Sequence, residues 1–423
     1  MKFFSHFLLL SLMLSSVIMQ SNAQDIEYGR AMVDTLCSTY FSGRGYTNNG
    51  HIKAADFIEE EFKKAGLTTL EKNKPFQQKF TVSANTYPGK LSLKINGKPL
   101  QVGKDFIIDP SSPGGKGKMK VVSIDTATLR TEAGLRSVSA LAKKGKKALY
   151  INNNSGNYTQ AIFGIAESER PKMLLESNNA KLTWHISTGL KSGTHFKIKD
   201  DVIEGPIKKI EYEVENVLQQ NIETQNVVGL VRGTEYPDSF FVFTAHYDHL
   251  GMLGANHYIP GANDNASGTA MLMNLAKYYG ENPAPYSIVF IAFGGEELGL
   301  FGSKHFVESW WMELEKIKFL VNLDIVGGGE DGVQIVNSRQ FTAAYSVMDS
   351  INKKHNYLKQ LKLRGTAQNS DHWYFYDNGV PCFFIYTLGG PPYYHDIFDV
   401  AETLPLTEYE DLIRLLTDFV SVY

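Results

Sequence analysis

The 423-residue sequence predicts an α/β protein. Its central sheet should be mixed, largely parallel and flanked by helices, with a β-rich unit inserted ahead of most of it. Two observations carry this. Four near-continuous apolar runs, 240–245, 288–293, 319–323 and 382–385, have the pattern of strands buried on both faces. Helical patterns separate them, as crossover connections between parallel strands require. A third observation sets the insert: from about Phe80 to Asn221 the texture changes to Lys, Gly and Asn with short alternating runs.

Taken in chain order, the first segment has the features of an export signal. Lys2 is followed by a mostly apolar stretch from Phe3 to Met19, and Ser21-Asn22-Ala23 offers small residues for cleavage near Ala23–Gln24. The stretch is short for a membrane span, and no later segment is long and apolar enough for one. A secreted or periplasmic protein without a stable membrane anchor is therefore expected. Amphipathic helices are predicted over Asp25–Tyr40 and Ile52–Gly66; in the second, Ile52, Ala55, Phe57, Ile58 and Phe62 recur at near-helical spacing, and Gly66 supplies a stop. The insert is predicted to contain strands such as 90–95 and 121–124, turns at Asn96-Gly97 and Gly114-Gly115, and one helix near Leu135–Lys143. Further helices are expected over Ala266–Tyr279, Phe301–Trp310, Phe341–His355 and Thr407–Val422. The domain division follows: 1–23 a signal, 24–80 and 221–423 the main domain, 81–220 the insert.

Composition narrows the function. A formal net charge of −3 gives no electrostatic case for nucleic acid. The two cysteines, Cys37 and Cys382, cannot build a thiolate zinc site, so a metal would need histidines and carboxylates. Spacing leaves open whether the two pair.

Such residues stand where the predicted strands end, which is where open α/β sheets form their sites. The first run ends in His246-Tyr247-Asp248. Side chains two apart share a strand face, which suits a metal-bound imidazole held at its other nitrogen by a carboxylate. Asp264, in the Gly/Asn-rich stretch from Gly261 to Gly268, can bridge two cations or simply cap the helix that follows. The next strand leads into Glu296-Glu297; one carboxylate can bind metal while the other faces water, or both can be a solvated pair at a helix start. The third ends in Asp324, and buried acids are rare unless paired or metal-bound. His395 follows a Gly-Gly-Pro-Pro loop after the last strand. No HExxH helix and no G-x-S-x-G elbow occurs.

These segments, in this order, resemble the co-catalytic zinc aminopeptidase family that also contains glutamate carboxypeptidase II and, as a non-catalytic relative, the transferrin receptor. The resemblance covers Asn226 to the C-terminus. It implies a zinc-exopeptidase type of fold and two Zn²⁺ ions per chain. His246 and Asp324 would hold one ion, Glu297 and His395 the other, with Asp264 bridging. Asp248 would orient His246, Glu296 would be the general base, and Tyr394 would help hold an oxyanion. His372, in Ser370-Asp371-His372, would lie near the site without being a ligand. The β-rich insert would be a protease-associated-like domain. The substrates would be peptides, with release of the N-terminal residue the first expectation. A carboxypeptidase or dipeptidase on the same scaffold, a one-zinc glutaminyl cyclase and a receptor-like binding protein are the alternatives.

Overall fold

A computed structural model describes residues 25–169 and 171–423. The predicted export signal and its cleavage point lie outside the described residues. Two eight-stranded sheets are present.

The first sheet runs, edge to edge, Gln77–Thr86, Val217–Val231, Tyr286–Phe293, Tyr236–His246, Ile317–Leu323, Cys382–Thr387, Val333–Val336 and Leu361–Leu363. Its four central strands are the four apolar runs, and they are mutually parallel. The outer pairings, apart from Val333–Val336 with Leu361–Leu363, are antiparallel, which makes the sheet mixed. The runs are apolar but for Thr244 and Asn322, which hydrogen-bond to each other, because both faces are covered. Phe241, Phe243 and Ala245 enter one core, while Val242, between them in sequence, enters the other. The long strand Val217–Val231 carries less of a signal, since only its second half is buried.

Helices form where the spacing predicts them, at Ile26–Leu36, Gly50–Lys64, Ser267–Glu281, Phe301–Glu308, Thr342–His355 and Tyr409–Val422. The first is shorter than its pattern. Asp25 caps it by accepting the Tyr28 N–H at 2.9 Å, and the chain tightens into a 3₁₀ segment, Thr39–Arg44. The second ends before Gly66, whose φ of +79° suits the residue that stops a helix. No described helix is long and apolar enough to cross a membrane.

The strands of the second sheet all lie between Leu91 and Val214, bracketed by two neighbouring strands of the first sheet. Asn96-Gly97 turns the Leu91–Ile95 hairpin with both residues at positive φ. Four of its strands are parallel, from Gly115–Ile124 to Thr194–Lys199, and the helix Glu132–Lys144 packs on them through Val138 and Ala142. A further short helix, Thr159–Gly164, was not apparent from the alternating runs.

Chain order reverses at Tyr236–His246, which lies between Tyr286–Phe293 and Ile317–Leu323. A crevice opens at the carboxyl ends of strands at such a point. His246 sits level with Phe293, the last residue of its neighbour.

Candidate metal centre

Five candidate donors from three strand ends and two loops meet in that crevice. His246 Nε2 lies 3.3 Å from Asp264 Oδ1 and 3.4 Å from Asp324 Oδ1. His395 Nε2 lies 3.0 Å from Asp264 Oδ2 and 3.1 Å from Glu297 Oε2. Donors about 2.0–2.1 Å from one tetrahedral ion stand roughly 3.3 Å from each other, so the spacings fit such ions. Asp264 turns one oxygen to each imidazole. Asp324 Oδ1 is buried and has no hydrogen-bond partner, as a donor reserved for a cation would be. The cluster is rich in acid, because Asp248, Glu296 and Asp371 stand close behind the donors. Burial pushes the His395 imidazole down, but Glu297 and Asp264 outweigh it and raise it to about 11. Hydrogen bonds with His246 and His395 hold Asp264 well below the usual carboxylate range in spite of its burial.

Local structure explains each placement. Asp264 does not cap the Ser267–Glu281 helix, which has no side-chain cap; its loop is held instead by Asp399. The Asp399 carboxylate accepts the Asn263 N–H at 2.9 and 3.1 Å and the Asp264 N–H at 3.0 Å. Asn265 ties the same loop to the Asp324 strand by donating to the Leu323 carbonyl at 2.9 Å and accepting the Ile325 N–H at 3.2 Å. Asp324 is held from behind by a chain of hydrogen bonds. Ser370 Oγ donates to Asp324 Oδ2 at 2.8 Å, Asn322 donates to Ser370, and Thr244 donates to Asn322. Arg44 is fully buried and donates to the carbonyls of Leu36, Tyr247, Pro260 and Gly261, joining the two chain segments that carry His246 and Asp264.

Asp248 contacts His246 differently from the simple carboxylate–imidazole expectation. Its backbone carbonyl is the nearer partner of His246 Nδ1, at 3.1 Å, with the carboxylate at 3.8 Å. That carboxylate accepts the Glu296 N–H at 3.2 Å and the Tyr46 hydroxyl at 3.5 Å. Burial pushes it up to about 7. Burial also raises the Glu296 carboxyl, with Glu297 and Asp371 adding to the shift and His246 opposing it. Tyr394 is 49% exposed and stacks on His395 with ring centroids 3.8 Å apart. Both line a cavity of about 260 Å³ with Glu296, Ile325, Phe384 and Tyr386.

Several residues at the centre were given no role from the sequence. His249 is fully buried and lies 2.6 Å from Glu297 Oε1 through Nδ1, a direct hydrogen bond that turns Glu297 Oε2 toward His395. Its place one residue after Asp248 was the available signal. Asp399, four residues after His395, had a similar one. Trp184 and His185 had none, being about 210 residues from the His395 they touch. His372 is fully buried, its ring 5.2 Å from that of Phe384. Cys37 and Cys382 are both buried, free thiols.

The fold and this cluster define a class: α/β proteins with a histidine–carboxylate metal centre at the switch point of a mixed sheet. Within it, the sequence model of peptidase family M28 matches residues 226–420. It is 29% identical over 241 residues to aminopeptidase YwaD of Bacillus subtilis (strain 168), covering 55% of this chain and 50% of that one. It is 34% identical over 108 residues to a probable zinc metalloprotease of Pyricularia oryzae, covering 25% and 22%. The matches thus span half or less of the length of these curated relatives. The fold is that of the zinc aminopeptidase BSAP from Bacillus subtilis, with a TM-score of 0.70 at 22% identity, over 95% of this chain and 94% of that one.

Proposed function

We propose that the chain is an exported metallo-aminopeptidase that uses two zinc ions to remove N-terminal residues from peptides. One observation carries the metal count. The two oxygens of Asp264 face two different imidazoles, and each imidazole shares a second carboxylate, Asp324 or Glu297. One donor set is then His246, Asp264 and Asp324; the other is His395, Asp264 and Glu297. The match to the M28 family model and the relatives named above support the chemistry. We take 81–220 as an inserted unit and 1–23 as a cleaved signal.

Bound zinc would supply Lewis acidity that acidifies a water and polarises the scissile carbonyl. Glu296, lining the cavity beside His246 and Asp324, takes the water's proton and returns it to the leaving amine. Asp248 holds the Glu296 backbone and the His246 ring together, so base and donor keep one spacing. The Tyr394 phenol stands at the cavity mouth, where it can donate to the oxyanion. Phe384, Tyr386 and Ile325 give an apolar wall with room for one side chain beside the donors.

The test is an assay of the mature protein on aminoacyl-nitroanilides, their N-blocked forms, dipeptides and Gln-β-naphthylamide, before and after chelation and zinc return. Chelator-sensitive release from free N-termini alone is the expected result. Cleavage of blocked or C-terminal substrates would keep a metallopeptidase and overturn the aminopeptidase; cyclisation of Gln would replace both. Absence of bound metal together with absence of turnover would overturn the whole reading. N-terminal sequencing of the exported protein tests cleavage at Ala23–Gln24.

A further inference from the structure

The second sheet reaches the metal centre through one short segment between the strands Met173–Asn178 and Thr194–Lys199. Its middle is anchored on the second-sheet side. The Trp184 indole is 2% exposed, donates to the Ile108 carbonyl at 2.9 Å and meets Tyr87 edge-on. The backbone and neighbouring side chains face the other way. The Trp184 N–H donates to the His395 carbonyl at 3.1 Å, and the Trp184 carbonyl lies 3.0 Å from His395 Nδ1. His185 Nδ1 is also 3.0 Å from that nitrogen. Lys181 donates to the carbonyls of Pro392, at 2.9 Å, and Tyr394.

The loop so gripped has little structure of its own. Between Thr387 and Ala401 there is no helix or strand, and His395 sits at φ +55°. A non-glycine residue there costs about 1–2 kcal/mol and persists only where its surroundings hold it.

We propose that residues 181–185 are a working part of the catalytic centre, holding His395 in the orientation a metal ion needs, with Lys181 and His185 as positioning residues for that ligand. This rests on the reading of His395 as a metal ligand. Its Nε2 faces Asp264 and Glu297, so a metal donor at Nε2 carries its proton on Nδ1. Nδ1–H then donates to the Trp184 carbonyl, with the His185 nitrogen as second acceptor. Imidazole ligands are ordinarily held this way, but here the holder comes from the other sheet. The second sheet is thus required for metal binding, and is more than an appendage that narrows access.

The experiment uses the full-length zinc protein and the variants Lys181→Met, His185→Phe, their combination, and His185→Gln, which retains an acceptor. Zinc retention is measured against graded competing chelator, and cobalt absorption on titration of the metal-free protein, with circular dichroism to verify folding. The double variant should hold one metal equivalent about 10–100-fold more weakly and the other unchanged. His185→Gln should lie closer to wild type than His185→Phe. Both equivalents at wild-type affinity with an unchanged cobalt spectrum would overturn the proposal. If the double variant does not fold, the single variants are judged by the same criterion. His395→Ala separates the two readings. Loss of one equivalent there, without loss in the double variant, overturns the positioning role alone; retention of both overturns His395 as a ligand.

Discussion

Removing the Asp399 carboxylate should disable both metal positions at once. That carboxylate has 3% exposure and accepts two backbone N–H groups, those of Asn263 and Asp264. Truncation to alanine leaves both donors buried without an acceptor. Each costs about 1–3 kcal/mol, so Asp399→Ala should lose about 2–6 kcal/mol, part of it as local loosening of the loop. Asp264 is the residue that moves. Its oxygens stand 3.3 Å from His246 Nε2 and 3.0 Å from His395 Nε2, so its displacement is felt at both donor sets. Asp399→Asn keeps one oxygen and turns an amide toward N–H groups, and should fall between the two. Denaturant unfolding of the metal-free protein gives the stability term; zinc retained per chain under competing chelator gives the other. Both zinc equivalents should weaken together, in contrast to His395→Ala, which should weaken one. An Asp399→Ala protein that unfolds at the wild-type midpoint and keeps both equivalents would refute this account of the loop.

Three further outcomes are expected. Glu296→Gln should keep its metal content and lose about 10²–10⁴-fold in kcat, measured on whichever nitroanilide the wild-type protein cleaves. Arg44→Met removes a donor from four buried carbonyls, of which Gly261 keeps the Ala266 N–H and Pro260 the Cys37 thiol, and should cost about 2 kcal/mol or more by denaturant unfolding. His372 bears on acid stability. Burial holds its imidazole down at about 3, against an unfolded value of about 6.5. Between those values the unfolded chain binds a proton that the folded chain does not, so stability falls as pH drops from about 6.5 toward 3. His372→Phe should remove up to about 3 kcal/mol of the loss seen between pH 6.5 and pH 4, in unfolding curves of the two proteins at both pH values.

The parallel core of the first sheet was legible because strands covered on both faces are apolar at nearly every position, and the runs from Phe240 to Ile385 depart from this only at Thr244 and Asn322, which hydrogen-bond to each other. The order of metal-capable residues at their ends was legible for a related reason: a switch-point crevice draws its side chains from strand ends, and strand ends are visible in sequence. The antiparallel flank was less so, because Val217–Val231 is half solvated and its pattern is weak. For Asp264 and the Glu296-Glu297 pair, sequence left a bland alternative standing beside the functional one. Only the tertiary structure brought Asp264 between two imidazoles and gave Glu297 the partners His249 and His395. The same limit applies to Asp399, Arg44, Trp184 and His185. Asp399, Arg44 and Trp184 act through backbone carbonyls and N–H groups, which every residue carries and no sequence pattern marks, and His185 meets the His395 ring from 210 residues away in sequence. Residue types capable of the chemistry could therefore be named from the sequence, whereas the groups that hold them in place became visible only once the chain was folded.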